Sequence, residues 1–574
     1  MARAEIGDEI RSILREIEYN QRLMRRKPDP SSAAERPTRR DFLASGAGVA
    51  AASLAFPSLA AGAESVPAQV APFELEEMTL VDLQDGLRSG KLTSRGLVNR
   101  YLARIAEIDK AGPAINAAIE LNPQILALAD SLDAERKAKG ARGPLHGIPV
   151  LIKDNIGTAD RMSTTAGSLA LANFTPAQDS GVARRLREAG ALILGKTNLS
   201  EWANFRSSHS SSGWSGRGGQ TRNPYALDRN PSGSSSGSGA AVSANLCAAA
   251  VGTETDGSIV GPSSANGVVG MKPTVGLISR AGIVPISHTQ DSAGPMCRTV
   301  ADAAALLGVL AGPDPADAAT AASRGHIPDD YTRSLDPKGL HGARIGVLRQ
   351  SFDFSETLAP VFNAALDALR DQGAVLIDVE MAPVRNLDEP EMQVLLYEFK
   401  ANLNAYLTAA GSKMLVSSLK ELIAFNQRNR DKEMPYFGQD LFEKAEEKGP
   451  LTEKAYLDAL AQCRRLARTE GIDAVMNKHT LDAIVAPTAG PAWPIDLIDG
   501  DHDTGSSCTL PAVAGYPNIH VPAGFVFGLP VGVSFFGRAW SEPQLIRFAY
   551  AFEQATRSRR PPRFLPTASL QIGS

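Results

Sequence analysis

The chain is short of the residues from which metal and redox sites are built. It has four cysteines among 574 residues, and Cys247, Cys297, Cys463 and Cys508 are widely scattered. No CxxC pair, HExxH or other metal-ligand spacing occurs, which argues against a structural or catalytic metal, and no motif calls for a cofactor. Whether any two cysteines bridge is not legible from spacing alone. Neither sign of charge dominates. The formal net charge is −4 and the isoelectric point is near 6.1, so there is no electrostatic footprint for a nucleic-acid partner. With 43% hydrophobic and 21% charged residues, the composition is that of a soluble globular protein. The length allows one large domain or several ordinary ones.

The first 63 residues do not read as fold. Thr38-Arg39-Arg40-Asp41-Phe42-Leu43 precedes an Ala/Gly-rich run to about Ala60, and Ala61-Gly62-Ala63 gives a small-x-small cleavage pattern. Paired arginines, a weakly apolar stretch and that site resemble a twin-arginine export signal. A tethering helix or a disordered arm is the alternative. A stable membrane anchor is disfavoured because the run is rich in Ala and Gly and interrupted by Pro57. The preceding stretch from Ile6 to Arg26 makes an unusually long n-region, or else the start codon lies further in. The mature protein is expected to begin near Glu64, in the periplasm or outside the cell.

From Phe73 to about Arg136 the spacing of Leu80, Leu83 and Leu87, then Leu97, Tyr101, Ile105 and Ile108, predicts helix. The apolar run 147–152 reads as a buried strand. Asp179 to Ala189 reads as a helix closed by Gly190, with a strand over 191–194 behind it. Such alternation predicts an α/β fold, a central mixed sheet surrounded by helices. Residues 206–239, dense in Ser and Gly, read as loop. A helical block over about 392–471 looks inserted. A strand at 483–485 follows, stopped by Pro487, and a helix is predicted from Glu542 to Thr556.

Three pattern matches mislead. Residues 190–197 satisfy GxxxxGK[ST], but a phosphate loop follows a strand and exposes its backbone N–H groups. Here a helix precedes Gly190 and the interior residues suit a buried strand. Gly233-Ser234-Ser235-Ser236-Gly237 matches the GxSxG elbow, yet 227–231 is no strand to support it. Ser417-Ser418-Leu419-Lys420 matches SxxK without its partner motifs and reads as a solvated helix face.

The chemistry-bearing segments are Leu151-Ile152-Lys153-Asp154-Asn155, then 233–239, then Gly252-Thr253-Glu254-Thr255-Asp256-Gly257-Ser258-Ile259, then Gly270-Met271-Lys272-Pro273-Thr274. Each alone is an ordinary loop, turn or strand end. In this order, with Ser234 and Ser258 24 positions apart, they resemble the amidase signature family, in its peptide-amidase-like branch. Residues 143–149 and 291–295 extend the likeness from about Phe73 to the C-terminus.

The resemblance implies an enzyme that hydrolyses a carboxamide C–N bond through a serine acyl-enzyme, with C-terminal peptide amides as a candidate substrate class. A serine hydroxyl needs a base within reach, and a lysine serves only when neutral, a state that burial favours. By resemblance Ser258 is the nucleophile, Ser234 relays its proton and Lys153 receives it. The N–H groups of Thr255, Asp256, Gly257 and Ser258 would form the oxyanion hole, worth about 3–4 kcal/mol per donor. Asp256 departs from the Gly-Gly common before the nucleophile. Its carboxylate would repel an oxyanion, so its side chain is expected to turn away, toward a backbone N–H or a substrate amine. No histidine completes a triad. His146 reads as structural, and His209 lies in the Ser/Gly loop, where an ordinary loop position is favoured over a place lining the pocket. Tyr397, Phe399, Tyr436 and Phe437 of the helical block either shape the pocket or are ordinary core. Two other functions compete: a glutaminase subunit of a tRNA amidotransferase, against which export argues, and a non-catalytic binding protein of the same fold.

Overall fold

The computed structural model describes residues 70–349, 356–381, 384–411 and 414–569. The export-signal segment and the question of the start codon lie outside the described residues.

Leu80, Leu83 and Leu87 form the buried face of the helix Leu80–Ser89. Thr79 opens this helix with a capping box: its hydroxyl accepts the Asp82 N–H, and its own N–H donates to the Asp82 carboxylate. The helix Ser94–Arg104 buries Leu97 and Tyr101 and runs on into the wider turn Ile105–Asp109. The expected unbroken helical region is then corrected. A strand, β1 (Ala118–Leu121), precedes the helix Ile125–Lys139. Four residues carry too little period to reveal themselves, and β1 is fixed by antiparallel pairing with residues 195–197, far along the chain.

The remaining strands of the main sheet are β2 (Pro149–Lys153), β3 (Leu192–Thr197), β4 (Ala249–Glu254), β5 (Val269–Lys272) and β6 (Ser292–Cys297). After them come β7 (Arg344–Leu348), β8 (Val375–Val379), β9 (Ala483–Pro487), β10 (Asn518–Val526) and β11 (Leu529–Phe536). Their spatial order is β1-β3-β2-β4-β6-β5-β10-β11-β9-β7-β8, one mixed sheet of eleven strands among the described residues. β2 pairs in parallel with β3 on one side and β4 on the other. All three are buried throughout, which is why they read as near-continuous apolar runs. The register Ile152↔Val251 sets the end of β2, where Lys153 stands, beside Gly252 and Thr253.

The helical block begins earlier than its pattern suggests. It runs from Arg385–Ala410 to Asp473–His479, between β8 and β9. β9 keeps Pro487 as its last residue, and the helix Glu542–Thr556 has the predicted bounds. The Ser/Gly region is not all loop: Ser236–Ser243 is a helix buried along its whole length. Small side chains permit that burial, and a Cβ at Gly237 would lie 2.3 Å from the Ala117 carbonyl oxygen. All four cysteines are free and buried. Among the described residues no helix is long and apolar enough to cross a membrane.

Candidate active site

β2 delivers Lys153 to the centre of the molecule, fully buried. Its Nζ lies 2.7 Å from Ser234 Oγ, 3.0 Å from Ser235 Oγ, 2.9 Å from Thr253 Oγ1 and 3.1 Å from the Thr253 carbonyl oxygen. Four acceptors surround an amine that carries at most three protons. Burial pushes the Lys153 pKa down to about 7, against the opposing pull of the Glu254 and Asp291 carboxylates. Near neutral pH a large share of this lysine is therefore an uncharged base.

Ser235, set aside with the GxSxG match, proves to be part of this network. Its hydroxyl accepts from Lys153 and donates to the Thr253 carbonyl, and its N–H donates to the Ser258 carbonyl at 3.1 Å. That last bond joins the two serine segments. Asn155 Nδ2 donates to Thr253 Oγ1 at 2.9 Å. The sequence signal for Thr253 and Asn155 was membership of the same two segments as Ser258 and Lys153. Nothing in their residue type marked them further. The Gly233–Ser234 peptide bond is cis.

Ser258 stands at the wall of a cavity of about 400 Å³, which Thr255, Asp256 and Gly257 also line. The segment turns because Gly257 has φ +73°, a left-handed conformation costly for any residue with a Cβ. Glu254 fixes the turn from behind. Its Oε2 accepts the N–H groups of Ile259 at 2.7 Å and Val260 at 3.0 Å, at the start of the helix Val260–Ala265. The Gly257 N–H faces the same carboxylate. Of the four N–H groups anticipated for an oxyanion, those of Thr255, Asp256 and Ser258 meet no acceptor among the described residues, whereas that of Gly257 is directed at Glu254.

Asp256 turns aside as its charge requires, though to a hydroxyl and not to a backbone N–H. Thr509 Oγ1 donates to its Oδ2 at 2.7 Å. Burial raises the Asp256 pKa well above the usual carboxylate range, opposed by the Thr509 hydrogen bond, and the nearby Glu254 adds to the rise. Asp501 ties the far wall together, accepting from the Ser212 N–H, Asn230 Nδ2 and Trp493 Nε1.

The other candidates lie elsewhere. His146 is buried, with Nδ1 accepting the Arg142 N–H at 3.2 Å and Nε2 3.0 Å from the Leu132 carbonyl oxygen, a structural role. His209 is exposed and does not line the cavity. From the helical block it is Leu395 that reaches the cavity. Phe399 packs behind it on Phe205 and Phe442, Tyr397 on Tyr456, and Tyr436 and Phe437 on Trp214. Lys196 of the phosphate-loop match is buried, donating to the Ile156 carbonyl and Thr164 Oγ1. Ser418 of the SxxK match caps the helix Leu419–Arg428.

Comparison with known proteins identifies the family. The family described as Amidase matches residues 96–546. The chain belongs to the amidase signature family. The peptide amidase from Stenotrophomonas maltophilia is 53% identical, with a TM-score of 0.82, over 86% of this chain and 100% of that one. An amidase family protein from Bacillus anthracis is 38% identical, with a TM-score of 0.78, over 85% and 93%. Among curated relatives, a glutamyl-tRNA(Gln) amidotransferase subunit from a Roseiflexus species is 36% identical over 506 residues, 84% of this chain and 97% of its own. This amidase is thus a hydrolase of amide C–N bonds, on the α/β architecture that the strand–helix alternation anticipated.

Proposed function

We propose that this amidase removes the C-terminal amide of peptides through an acyl-enzyme on Ser258. The observation that carries the reading is the 2.7 Å contact of Ser234 Oγ with a lysine held near neutrality by burial. In this mechanism Ser258 loses its proton to Ser234 as Ser234 passes its own to Lys153 Nζ, and the Ser258 Oγ–carbonyl carbon bond forms. The oxyanion settles on the free N–H groups of the 255–258 segment. The C–N bond then breaks while the proton returns through Ser234 to the departing nitrogen, which leaves as ammonia. Water repeats the relay, releases the acid and restores Ser258. The peptide part of the proposal rests on the likeness to the Stenotrophomonas peptide amidase.

A serine-directed fluorophosphonate is expected to add one label, mapped by peptide mass analysis to Ser258; labelling at Ser235 would overturn the assignment. A panel of peptide amides, simple amides, anilides and carbamates tests the substrate class. The likeness to amidotransferase subunits supports a second reading, glutamine as ammonia donor, and brisk ammonia release from peptide amides without partner subunits decides against it.

We also propose export by the twin-arginine route, supported by Arg39-Arg40 and Ala61-Gly62-Ala63. Replacing both arginines by lysine is expected to leave uncleaved precursor in the cytoplasm. Normal processing of that variant would refute it.

A further inference from the structure

Behind the 255–258 segment lies a second layer that the proposed reaction does not use. Gln290 is 2% exposed, and its Nε2 makes two contacts: 3.3 Å to the Thr255 carbonyl oxygen and 2.7 Å to Glu391 Oε1. Both partners are acceptors, so both call for the amide's NH2 end and fix its orientation. The adjacent Asp291 holds the Thr255 side chain. Its Oδ1 accepts Thr255 Oγ1 at 2.6 Å, while its Oδ2 accepts the N–H groups of Ile286 and Ser287, both at 2.9 Å. Thr255 is therefore held by its hydroxyl and by its carbonyl at once.

The carbonyl of Thr255 and the N–H of Asp256 belong to one peptide unit, which is planar and has them pointing in opposite directions. A donor on the carbonyl side thus fixes where the Asp256 N–H points. It also draws electron density toward the carbonyl oxygen and makes that N–H a stronger donor. We infer that Gln290 is a positioning residue for the oxyanion: it orients and polarises the Thr255–Asp256 peptide, and Glu391 holds the Gln290 amide in place. Glu391 belongs to the helix Arg385–Ala410, from which Leu395 also reaches the cavity, so the helical block contributes to the site both by lining it and from behind. The inference rests on the proposal that these N–H groups receive the oxyanion.

The test is Gln290→Met, which keeps length and volume and removes the donor, compared with Glu391→Gln, which keeps an acceptor for Gln290. A peptide aldehyde, which forms an oxyanion-bearing adduct with a nucleophilic serine, is compared with the matched peptide alcohol, which does not. For Gln290→Met, kcat/KM and aldehyde affinity are both expected to fall roughly tenfold, less than the loss of a whole oxyanion donor. KM and alcohol affinity should hold, with the melting temperature recorded alongside. Glu391→Gln, which weakens the grip on the Gln290 amide, is expected to show the same pattern at a smaller size, with kcat/KM and aldehyde affinity falling together and alcohol affinity unchanged. Equal losses for aldehyde and alcohol would reduce Gln290 to a packing role, and unchanged kcat/KM would refute the inference outright. Fluorophosphonate labelling of wild-type Ser258 separates that result from failure of the acyl-enzyme reading.

Discussion

Replacing Lys153 by Met should abolish the amidase reaction and make the protein more stable. Lowering the lysine pKa from 10.5 to about 7 corresponds to a cost on the order of 5 kcal/mol for burying the charge in place of leaving it in water. Met fills similar space without that cost. Against the gain stand lost hydrogen bonds. Ser235 Oγ and the Thr253 carbonyl still have each other, and Thr253 Oγ1 still has Asn155. Ser234 Oγ loses its donor, at about 1–2 kcal/mol. The net expectation is a stabilisation of about 3 kcal/mol at pH 7. Between pH 7 and 10.5 the unfolded lysine holds a proton that the folded one has shed, so wild-type stability climbs with pH across that window. The Met variant lacks this contribution, so its advantage should shrink as pH rises, vanish at about pH 9–10 and give way to a deficit of about 1–2 kcal/mol near pH 10.5, where only the lost hydrogen bond remains. Urea unfolding of both proteins at pH 7, 8.5 and 10 measures the difference. A Met variant less stable than wild type at pH 7, or an advantage independent of pH, would mean that Lys153 is a charged, well-paired ammonium and no neutral base.

Three further outcomes follow from the same geometry. The kcat/KM for a peptide amide is expected to rise about tenfold per pH unit below pH 7 and level off above it as Lys153 sheds its proton; a profile flat from pH 5 to 9 contradicts this. Lys153→Ala should lower both amide and ester hydrolysis but amide the more, by about 10²–10⁴-fold, because only the amide's nitrogen needs a proton to leave, and equal losses for a matched pair would reduce Lys153 to scaffolding. Gly257→Ala places a Cβ at φ +73°, costing about 1–2 kcal/mol, and should reduce kcat at least tenfold with KM little changed as the N–H row distorts; an unaltered kcat would show that the row's shape does not matter.

Much of the fold was legible because its central strands are buried on both faces and its outer helices on one, so each leaves its own period in the sequence. The helix Glu542–Thr556 and strands β2, β3 and β9 lie where their patterns put them, to within a few residues. β1 and the helix Ser236–Ser243 were not legible. The first is too short to show a period, and the second is built from serine and glycine, which favour loops unless tertiary packing holds them. The segments carrying Lys153, Ser234 and Ser258 were recognisable as a set, since residue type and order along the chain are properties of sequence.

What those residues do to one another was decided only by folding. A lysine's residue type sets its pKa near 10.5, and only complete burial at the end of β2 takes it to about 7. No spacing rule announces that Ser235 and Thr253 share that lysine, that Asp256 turns to Thr509 across more than 250 residues, or that Gln290 grips the Thr255 carbonyl. The sequence by itself determined which chemical groups are present and which elements carry them. Desolvation and hydrogen-bond direction depend on every neighbour in three dimensions, so charge state, donor orientation and the cavity beside Ser258 belong to the tertiary structure alone.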